Sequence, residues 1–391
     1  MPVINRVAEF AAEIAEWRRD LHRNPELLFA TDRTAGFVAE KLRSFGCDLV
    51  ETGIGQSGVV AVIRGRADNS GRRIGLRADM DALPIEEIGE VEYRSQVPGK
   101  MHACGHDGHT ALLLGAAKYL AETRNFDGAA VLVFQPAEEG ADGARAMLDD
   151  GLVERFGIQE IYGMHNLPGM EVGRIAIRPG PVMAAADTFR ITLKGKGAHA
   201  AMPHTGRDPI LAACHLVTAL QSIVSRNVDS MDRAVVSVGR INAGDAFNVI
   251  PHTAEILGTV RTFSPEVQDL VEARLGEIAH HTAAAFDSTV EVFYSRNVPA
   301  VINHADQAAL VERVACGIVG DDRVLTDMPA MMGAEDFSQM LHARPGAYLF
   351  LGNGPSAALH HPAYDFNDEA IPYGVSLWAR LIETAMPTAA V

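Results

Sequence analysis

The part of the sequence that most constrains the fold lies between residues 72 and 140. Two β-branched runs, "RRIGLRADM" (72–80) and "AAVLVFQPAEEG" (129–140), flank "TALLLGAAKYLAE" (110–122), which has helical periodicity. A strand, a helix and a strand in this order are typical of a parallel crossover unit. Further strands are predicted at 58–65, 160–165 and 346–351, and helices at 6–22, 33–45, 305–319 and 367–386. We therefore expect an α/β domain whose mixed, largely parallel sheet is flanked by helices.

A different pattern begins near residue 183. It predicts, in order, a strand at 187–194, a helix at 207–226, strands at 233–241 and 253–262, a helix at 265–285 and a strand at 289–295. This β-α-β-β-α-β order is the split βαβ arrangement. Proline occurs at both margins, in "RPGP" (178–181), which also has a glycine, and in "RNVP" (296–299), as expected at domain junctions. We predict an inserted α+β domain at 183–296 within a first domain formed by 1–182 and 297–391.

Composition excludes several classes of function. The net charge of −16 would repel a phosphate backbone, so we expect no nucleic-acid partner. No run approaches about 18 consecutive apolar residues, so a membrane-spanning helix is not expected. The N-terminal segment lacks the apolar core of a signal peptide, and the four cysteines form no CxxC pair. These features favour a soluble, cytoplasmic protein with free thiols.

The stretch "MHACGHDGHT" (101–110) carries four potential metal ligands in eight residues: His102, Cys104, His106 and His109. In an extended chain, residues 102, 104 and 106 would point to one side. A thiolate and imidazoles that converge suit zinc or another borderline metal. The alternative is a polar loop with a buried structural cysteine, because the spacing matches no structural zinc pattern.

Adjacent carboxylates, Glu138 and Glu139, follow an apolar strand in "FQPAEEG". Beside a metal, one could be a ligand while the other takes a proton from a metal-activated water. The alternative is a solvated loop.

Other acidic and histidine side chains stand at predicted strand ends or in loops: Asp79, Asp81, His165, His360 and His361. An aspartate there can ligate, or orient a ligating histidine from behind. Because one ion cannot use so many ligands, two metals that share a ligand would account for the surplus.

In the inserted domain, small residues surround His199 in "GKGAHAAMPH" (195–204). Asn248 in "NVIP" and Arg261 in "GTVRTF" are further candidates, since an arginine can bind a carboxylate through two parallel hydrogen bonds. A surface arginine paired with an acid is an equally good interpretation of Arg261 alone.

The sequence resembles the M20 metallopeptidase family, in the branch of hippurate hydrolases, N-acyl-amino-acid amidohydrolases and auxin-conjugate hydrolases. The resemblance covers nearly the whole chain. It rests on "RRDLHRNPEL" (18–27), "RADMDALP", "MHACGHDGHT", "FQPAEEG", "MHNLP", "GKGAHAAMPH", "NVIP", "GAEDFS" (333–338) and "LHHPAYDFND" (359–368).

The resemblance implies two divalent metal ions per subunit, and an inserted lid domain that forms a homodimer or homotetramer. Manganese is the family's usual assignment, with zinc, cobalt or nickel as alternatives. The metal ligands it implies are Cys104 as the bridge, His106, Glu139, His165 and His360, the last chosen over His361 because the family pattern reads LH, a variable residue and proline.

By the same resemblance, Glu138 is the general base and His199 reaches from a partner subunit's lid to the developing oxyanion. Asn248 and Arg261 hold the substrate carboxylate, while Asp79 and Asp81 support the ligands. No ligand role carries over to His102 or His109. We expect Asp107 to cap the following helix, and the alternative is that it supports the ligands from behind.

We therefore expect a metal-dependent amidohydrolase that cleaves linear amides of N-acyl amino acids to a carboxylic acid and a free amino acid. On the same scaffold, the alternatives are a dipeptidase or an N-acetyl-diaminopimelate deacetylase. A non-catalytic binding protein that keeps the fold is a more remote alternative.

Overall fold

The computed structural model describes residues 3–140 and 142–388. Its α-helices are α1 (Asn5–Arg23), α2 (Asp32–Ser44), α3 (His106–Thr123), α4 (Gly143–Asp149), α5 (Leu152–Phe156), α6 (Pro209–Ser222), α7 (Pro265–Ala285), α8 (Ala305–Val319), α9 (Phe337–Ala343) and α10 (Ile371–Ala385). Its strands are β1 (Leu49–Ile54), β2 (Gly58–Arg64), β3 (Arg73–Asp79), β4 (Ala129–Gln135), β5 (Glu160–Leu167), β6 (Ile175–Ala176), β7 (Gly180–Met183), β8 (Ala185–Lys194), β9 (Ala198–His199), β10 (Ala234–Ala243), β11 (Val249–Ile250), β12 (Thr253–Thr262), β13 (Thr289–Val298), β14 (Val301–Asn303), β15 (Val324–Leu325) and β16 (Gly346–Gly352).

The chain divides into two compact units. Unit 1 contains the residues up to 182, residues 302–329 and those from 336 onward, and unit 2 contains residues 183–301 and 330–335. The predicted second boundary at 297 therefore falls five residues before the observed one, because β13 continues to Val298. Residues 330–335, which the sequence pattern assigns to the first domain, also belong to unit 2. They join unit 2 because the backbone N–H of Ala184 donates to the carbonyl groups of Met331 and Gly333.

Unit 1 is built around an eight-stranded mixed sheet, in the order β1-β2-β4-β3-β5-β16-β6-β15. The four central strands, β4, β3, β5 and β16, run parallel, whereas β1 and β2 are antiparallel at one edge. The predicted crossover is confirmed, since β3 and β4 are parallel neighbours joined through α3. The expected α/β class is thus the observed one.

The central strands are continuous apolar runs because both faces of the sheet are covered. Every residue of β4 is buried, as is every residue of β16. Strands buried on both faces lose the alternation of polar and apolar residues that half-exposed strands show. Helix α3 is also buried around most of its circumference and packs against α1, α10 and β3. This central helix begins at the residues that form the candidate site.

Unit 2 contains a four-stranded antiparallel sheet in the order β10-β12-β8-β13. Its elements follow the predicted β-α-β-β-α-β order, with the short pair β9 and β11 added. Residues of α6 and α7 form one core with the sheet, in which Leu216, Val271 and Ile256 are fully buried. The lid and dimerisation role expected of this unit stays a prediction.

One helical stretch, Pro209–Asn227, is long and apolar enough to cross a membrane by length and composition alone, with a mean hydropathy of 1.2. The criterion of about 18 consecutive apolar residues does not detect this stretch. Core helices meet the same criterion, and Ala212, Ala213, Leu216 and Leu220 from this stretch lie in the core of unit 2.

Two predicted boundaries near the candidate site are wrong by several residues. Strand β4 ends at Gln135 rather than at 140, because Pro136 has no N–H to donate and Ala137 takes a positive φ of 56°. Helix α3 begins at His106, four residues before the predicted start. The first change places Glu138 and Glu139 in a turn, and the second places His106 and His109 in the first turn of α3.

Candidate metal centre

The polar side chains gather where the parallel strands of unit 1 end. Asp79 is the last residue of β3, and Glu138 and Glu139 follow the end of β4. His165 lies near the end of β5, paired with Phe350 of β16, and His360 is in the segment that follows β16. Carboxyl ends of parallel strands are where α/β sheets bind their ligands, so topology alone directs these groups to one edge.

Cys104 and His106 reach this edge through a turn at Gly105. The turn replaces the predicted extended chain, since Gly105 has a φ of 89° and His106 opens α3. A Cβ at position 105 would lie 2.3 Å from Asn166 Nδ2 and 2.4 Å from Tyr364 Oη. Glycine is therefore required both by its conformation and by the lack of space.

The structure brings the predicted ligands into two groups of three that share Cys104, and a third group joins His106 and Glu139 with Glu138. Cys104, His106 and His165 form the first group, and Cys104, Glu139 and His360 form the second. Within each group the potential ligand atoms lie within 4.8 Å of one another. Cys104 Sγ is 3.3 Å from His165 Nε2, and His360 Nε2 is 3.3 Å from Glu139 Oε1. Cys104 alone belongs to both groups, as a bridging ligand would.

Backbone carbonyl groups fix which nitrogen of each buried histidine faces the site. His106 Nδ1 donates to the carbonyl of Asp81 at 2.8 Å, and His165 Nδ1 donates to the carbonyl of Asn166 at 2.6 Å. The proton of the neutral imidazole is thereby placed on Nδ1, which leaves Nε2 with a lone pair. His106 Nε2 is buried and has no hydrogen-bond partner among the described residues. Both histidines are thus oriented as metal ligands commonly are.

The two adjacent glutamates are held by one carboxylate. Asp81 accepts hydrogen bonds from the backbone N–H of Glu138 at 3.0 Å and from that of Glu139 at 3.1 Å. The turn that precedes them is strained at Ala137, whose φ is positive. Glu139 Oε1 faces His360, while Glu138 Oε2 lies 3.9 Å from His106 Nε2. Glu139 can therefore bind a metal ion while Glu138 accepts a proton.

Of the two C-terminal histidines, His360 is the one that faces the ligand groups. It has a positive φ of 64°, and its backbone N–H donates to the carbonyl of Ala103. His361 Nδ1 instead accepts a hydrogen bond from the N–H of Ala363 at 3.0 Å. The geometry therefore favours His360.

His109 is buried beside the site, but both of its ring nitrogens are occupied. The N–H of Asn166 donates to Nε2 at 3.0 Å, so Nδ1 carries the proton that it shares with Asp79 Oδ1 at 2.6 Å. Asp79 also accepts from Arg77 at 2.6 Å. Asp81 holds His106 through Nδ1, whereas Asp79 Oδ2 lies 3.8 Å from His106 Nε2, and their supporting roles stay a prediction.

The prediction for Asp107 is wrong. Gly105 is the residue at the N-cap of α3, and Asp107 lies inside the first turn. Its carboxylate is buried and accepts a hydrogen bond from His22 Nδ1 at 2.8 Å. Because the helix begins four residues earlier than its apolar pattern indicates, the aspartate falls past the cap.

Burial and neighbouring charges shift the protonation of these groups in opposite directions. Burial holds the pKa of the Cys104 thiol well above its ordinary value and that of His165 well below. Burial also raises the pKa of Glu139, but its hydrogen bond with His360 outweighs this and leaves the pKa below its ordinary value. For His106, the Asp79 carboxylate overcomes burial and raises the pKa. A divalent cation would compete with this proton and favour the Cys104 thiolate.

In unit 2, the predicted residues lie at two different places. Strands β9 and β11 pair His199 with Val249, so His199 and Asn248 are close together. In sequence, His199 is close to Lys194 and Asn248 is close to Thr253, and Lys194 and Thr253 pair at one end of the sheet. Arg261 is at the other end of β12. Eight residues of extended chain span about 26 Å. One copy of unit 2 therefore cannot bring Asn248 and Arg261 to the same carboxylate.

Several buried residues that support the site were not singled out from the sequence. Asp336 accepts from Gln135 Nε2 at 2.8 Å and from Arg77 at 3.2 Å, and Tyr364 donates to Asn166 Oδ1 at 2.8 Å. One signal could have identified them, since Asn166, Asp336 and Tyr364 all lie within motifs that carry the family resemblance.

Comparison with known proteins agrees with this geometry. Residues 75–384 match the model of Peptidase family M20/M25/M40. The chain is 42% identical over 383 residues to a hippurate hydrolase of Campylobacter jejuni, covering 97% of this chain and 98% of that protein. It is 42% identical over 355 residues to an N-acetyl-L-cysteine deacetylase of Bacillus subtilis, covering 90% of this chain and 83% of the other.

Among solved structures, the fold is similar to that of YXEP from Bacillus subtilis, described as a dinuclear metal-binding peptidase of the M20 family. The two chains are 34% identical with a TM-score of 0.86, over 97% of this chain and 99% of that one. The family model covers most of the sequence, and the relatives are similar over nearly their whole length. The chain therefore belongs to peptidase family M20/M25/M40.

Proposed function

We propose that this protein is a metal-dependent amidohydrolase that cleaves N-acyl amino acids to a carboxylic acid and a free amino acid. The observation that carries the proposal is the position of Cys104 in both groups of potential ligands, directly beside the Glu138–Glu139 pair. A thiolate shared by two groups suits two ions a few ångströms apart. The relatives support the reaction class, since one is named for hippurate and another for N-acetyl-L-cysteine.

The residues present fit a pair of divalent ions. Cys104, His106, His165, Glu139 and His360 would hold them, and the buried Nε2 of His106, which lacks a hydrogen-bond partner among the described residues, is the clearest sign. Bound ions would supply Lewis-acid chemistry by lowering the pKa of water and polarising the amide carbonyl. Thiolate and imidazole ligands suit zinc as well as manganese. We propose two ions per subunit, with manganese as the first candidate and zinc, cobalt or nickel as alternatives.

Glu138 is the proposed general base. Its backbone is fixed by Asp81, and its carboxylate oxygen Oε2 lies 3.9 Å from Nε2 of the proposed ligand His106, which places it beside the site. It accepts a proton from the attacking water as the new C–O bond forms at the amide carbon. It then gives that proton to the nitrogen as the C–N bond breaks.

His199 is suited to stabilise the developing oxyanion. The N–H of Ala201 donates to its Nδ1 at 3.1 Å, which places the proton of the neutral ring on Nε2. An Nε2–H group can donate to an oxygen that gains negative charge.

The substrate carboxylate is proposed to bind Asn248 and Arg261. Because these residues lie at opposite ends of the sheet in unit 2, contact with both requires two copies of the chain. This supports the proposal that the protein works as a homodimer or homotetramer through unit 2. We also retain the cytoplasmic location as a proposal.

A substrate panel tests the function. The purified protein is assayed with hippurate, N-acetyl amino acids and dipeptides, with manganese, cobalt and zinc side by side. We expect N-acyl amino acids to be hydrolysed with kcat/KM at least tenfold above that for dipeptides. Preferential cleavage of dipeptides would favour the dipeptidase alternative, and no hydrolysis with any metal would contradict the proposal.

A further inference from the structure

One motif of the sequence has no part in the proposed mechanism. The segment "RRDLHRNPEL" contributes two fully buried polar side chains, Arg18 and His22, at the end of α1. A buried guanidinium is costly to desolvate unless it is well paired. Its partners therefore indicate why the chain keeps a charge there.

Arg18 contacts three carboxylates from two distant parts of the chain. Arg18 Nη1 lies 3.7 Å from Asp107 Oδ2 in α3 and 3.4 Å from Asp365 Oδ1. Arg18 Nε donates to Asp368 Oδ1 at 2.8 Å. Its guanidinium also stacks on the ring of Tyr93, 4.2 Å from the ring centre. We call Arg18 with Asp107, Asp365, Asp368 and Tyr93 the Arg18 cluster.

The carboxylates of the Arg18 cluster are covalently close to the proposed metal ligands. Asp107 follows His106 directly, and Asp365 lies five residues after His360. His106 belongs to one of the two ligand groups and His360 to the other. Arg18 therefore joins the segment that presents His106 to the segment that presents His360.

Neighbouring groups hold both sides of the cluster. His22 Nδ1 donates to the same oxygen of Asp107 at 2.8 Å, and Tyr93 donates its hydroxyl hydrogen to Asp365 Oδ2 at 2.7 Å. The His360 segment has one further direct bond to the Cys104 loop, from the N–H of His360 to the carbonyl of Ala103. Arg18 contacts carboxylates of both segments, and Arg19 adds a second cation on Asp368 at 2.9 Å.

We propose that Arg18 is a positioning residue that sets the separation of the two ligand groups and thereby the affinity for metal. The inference rests on the proposed function in one respect, which is that His106 and His360 bind metal. Without the guanidinium, Asp107 keeps its bond from His22 and Asp368 keeps its ion pair with Arg19, but the direct link from Asp107 to Asp365 is lost. The His360 segment then moves away from α3, and we expect a 10- to 100-fold loss of metal affinity, as is typical when groups behind metal ligands are removed.

The test compares full-length wild type with Arg18→Met and Arg18→Lys. Arg72→Met is the control, because Arg72 also joins distant segments of unit 1, through Glu160 and the carbonyl of Ala385, but at the opposite end of β3. Affinity for Zn²⁺ and Mn²⁺ is measured by competition with a chromophoric chelator, and Tm is measured without metal. We expect Arg18→Met to bind at least one ion 10- to 100-fold more weakly, Arg18→Lys to recover part of the loss, and Arg72→Met to bind like wild type.

A lower Tm with unchanged metal affinity in Arg18→Met would overturn the inference, because a purely structural role has that signature. If Arg18→Met does not fold, Asp365→Asn provides the test, since Asp365 is partly exposed and its amide is isosteric. That variant should bind metal several-fold more weakly, and wild-type affinity would overturn the inference. A wild-type protein that binds no metal would instead contradict the proposed function itself.

Discussion

At the scale of single residues, the site depends on groups that decide where protons lie. The carbonyl groups of Asp81 and Asn166 accept hydrogen bonds from Nδ1 of His106 and His165, respectively. The lone pair on Nε2 of each ring therefore points into the site. The carboxylate of Asp81 holds the backbone of both glutamates at the same time. Asp81 therefore aligns a proposed metal ligand, His106, and the proposed base together.

Replacement of the base separates catalysis from metal binding. Glu138→Gln keeps the shape of the side chain but removes its capacity to accept a proton, so we expect kcat to fall by about 10²–10⁴. Metal content should stay at the wild-type value, because the substitution leaves the proposed ligands Cys104, His106, Glu139, His165 and His360 in place. Steady-state kinetics and elemental analysis of the same sample check this. A variant within threefold of wild-type kcat would contradict the role of Glu138.

Residue identities at the site could be predicted from the sequence only where a motif carried them. Spacing alone gave equal weight to His102, Cys104, His106 and His109, and the structure separates them through hydrogen bonds that sequence spacing does not encode. His109 is occupied by Asn166 and Asp79, which are 57 and 30 residues away. The contacts of Arg18 with the segment that carries His360 were not predicted, since its partners Asp365 and Asp368 are about 350 residues away in sequence.

At the scale of elements, the turn before α3 controls the geometry of two proposed ligands. Gly105 and Gly71 both have positive φ, but only Gly105 is crowded, whereas nothing lies within 4 Å of a Cβ at Gly71. We expect Gly71→Ala to lower the free energy of unfolding by about 1 kcal/mol, from backbone strain alone. Gly105→Ala should lower it by about 3 kcal/mol, since overpacking adds to the strain.

Denaturant unfolding of the two glycine variants gives this comparison directly. Gly105→Ala should also lose metal affinity, because Asn166 and Tyr364 must move away from the new methyl group. Equal destabilisation of the two variants would mean that crowding at Gly105 is relieved without cost.

The contact between α1 and α3 predicts a dependence of stability on pH. Burial by itself lowers the pKa of His22, but the Asp107 carboxylate overrides it and raises the pKa from 6.5 to about 9. The stabilisation is complete below pH 6.5 and is lost as pH rises through 9. Its size is on the order of 3 kcal/mol. The charged or titratable groups around His22 are Asp107, Glu87, Tyr93, Arg18 and His102.

His22→Gln measures this contribution. The difference in free energy of unfolding between wild type and variant, both stripped of metal, should be largest near pH 6 and should shrink towards pH 10. A difference that stays constant from pH 6 to 10 would show that His22 is not charged in the folded protein.

Most elements were predictable because their apolar patterns are long. Helix α7 and strand β12 have the predicted bounds, and the order of elements in unit 2 is the predicted one. The errors fall at turns, where Pro136, Ala137 and Gly105 set the ends of β4 and α3. Turn conformation there depends on contacts with Asn166 and Tyr364 that no local pattern records.

At the scale of the whole molecule, the predicted insertion corresponds to a compact unit, although residues 330–335 return to it by hydrogen bonds that sequence periodicity does not indicate. The opposite placement of Asn248 and Arg261 likewise became visible only with the order of the strands. Both are properties of chain topology, which element prediction leaves open.

The central claim is that one chain binds two ions through Cys104, His106, Glu139, His165 and His360 and hydrolyses N-acyl amino acids only when both are present. Titration of the chelator-treated protein with Mn²⁺, while hippurate hydrolysis is followed, tests this claim most directly. We expect activity to rise from near zero and to reach its maximum at two equivalents of Mn²⁺ per chain. Full activity in the chelated protein, or a maximum below one equivalent, would contradict it.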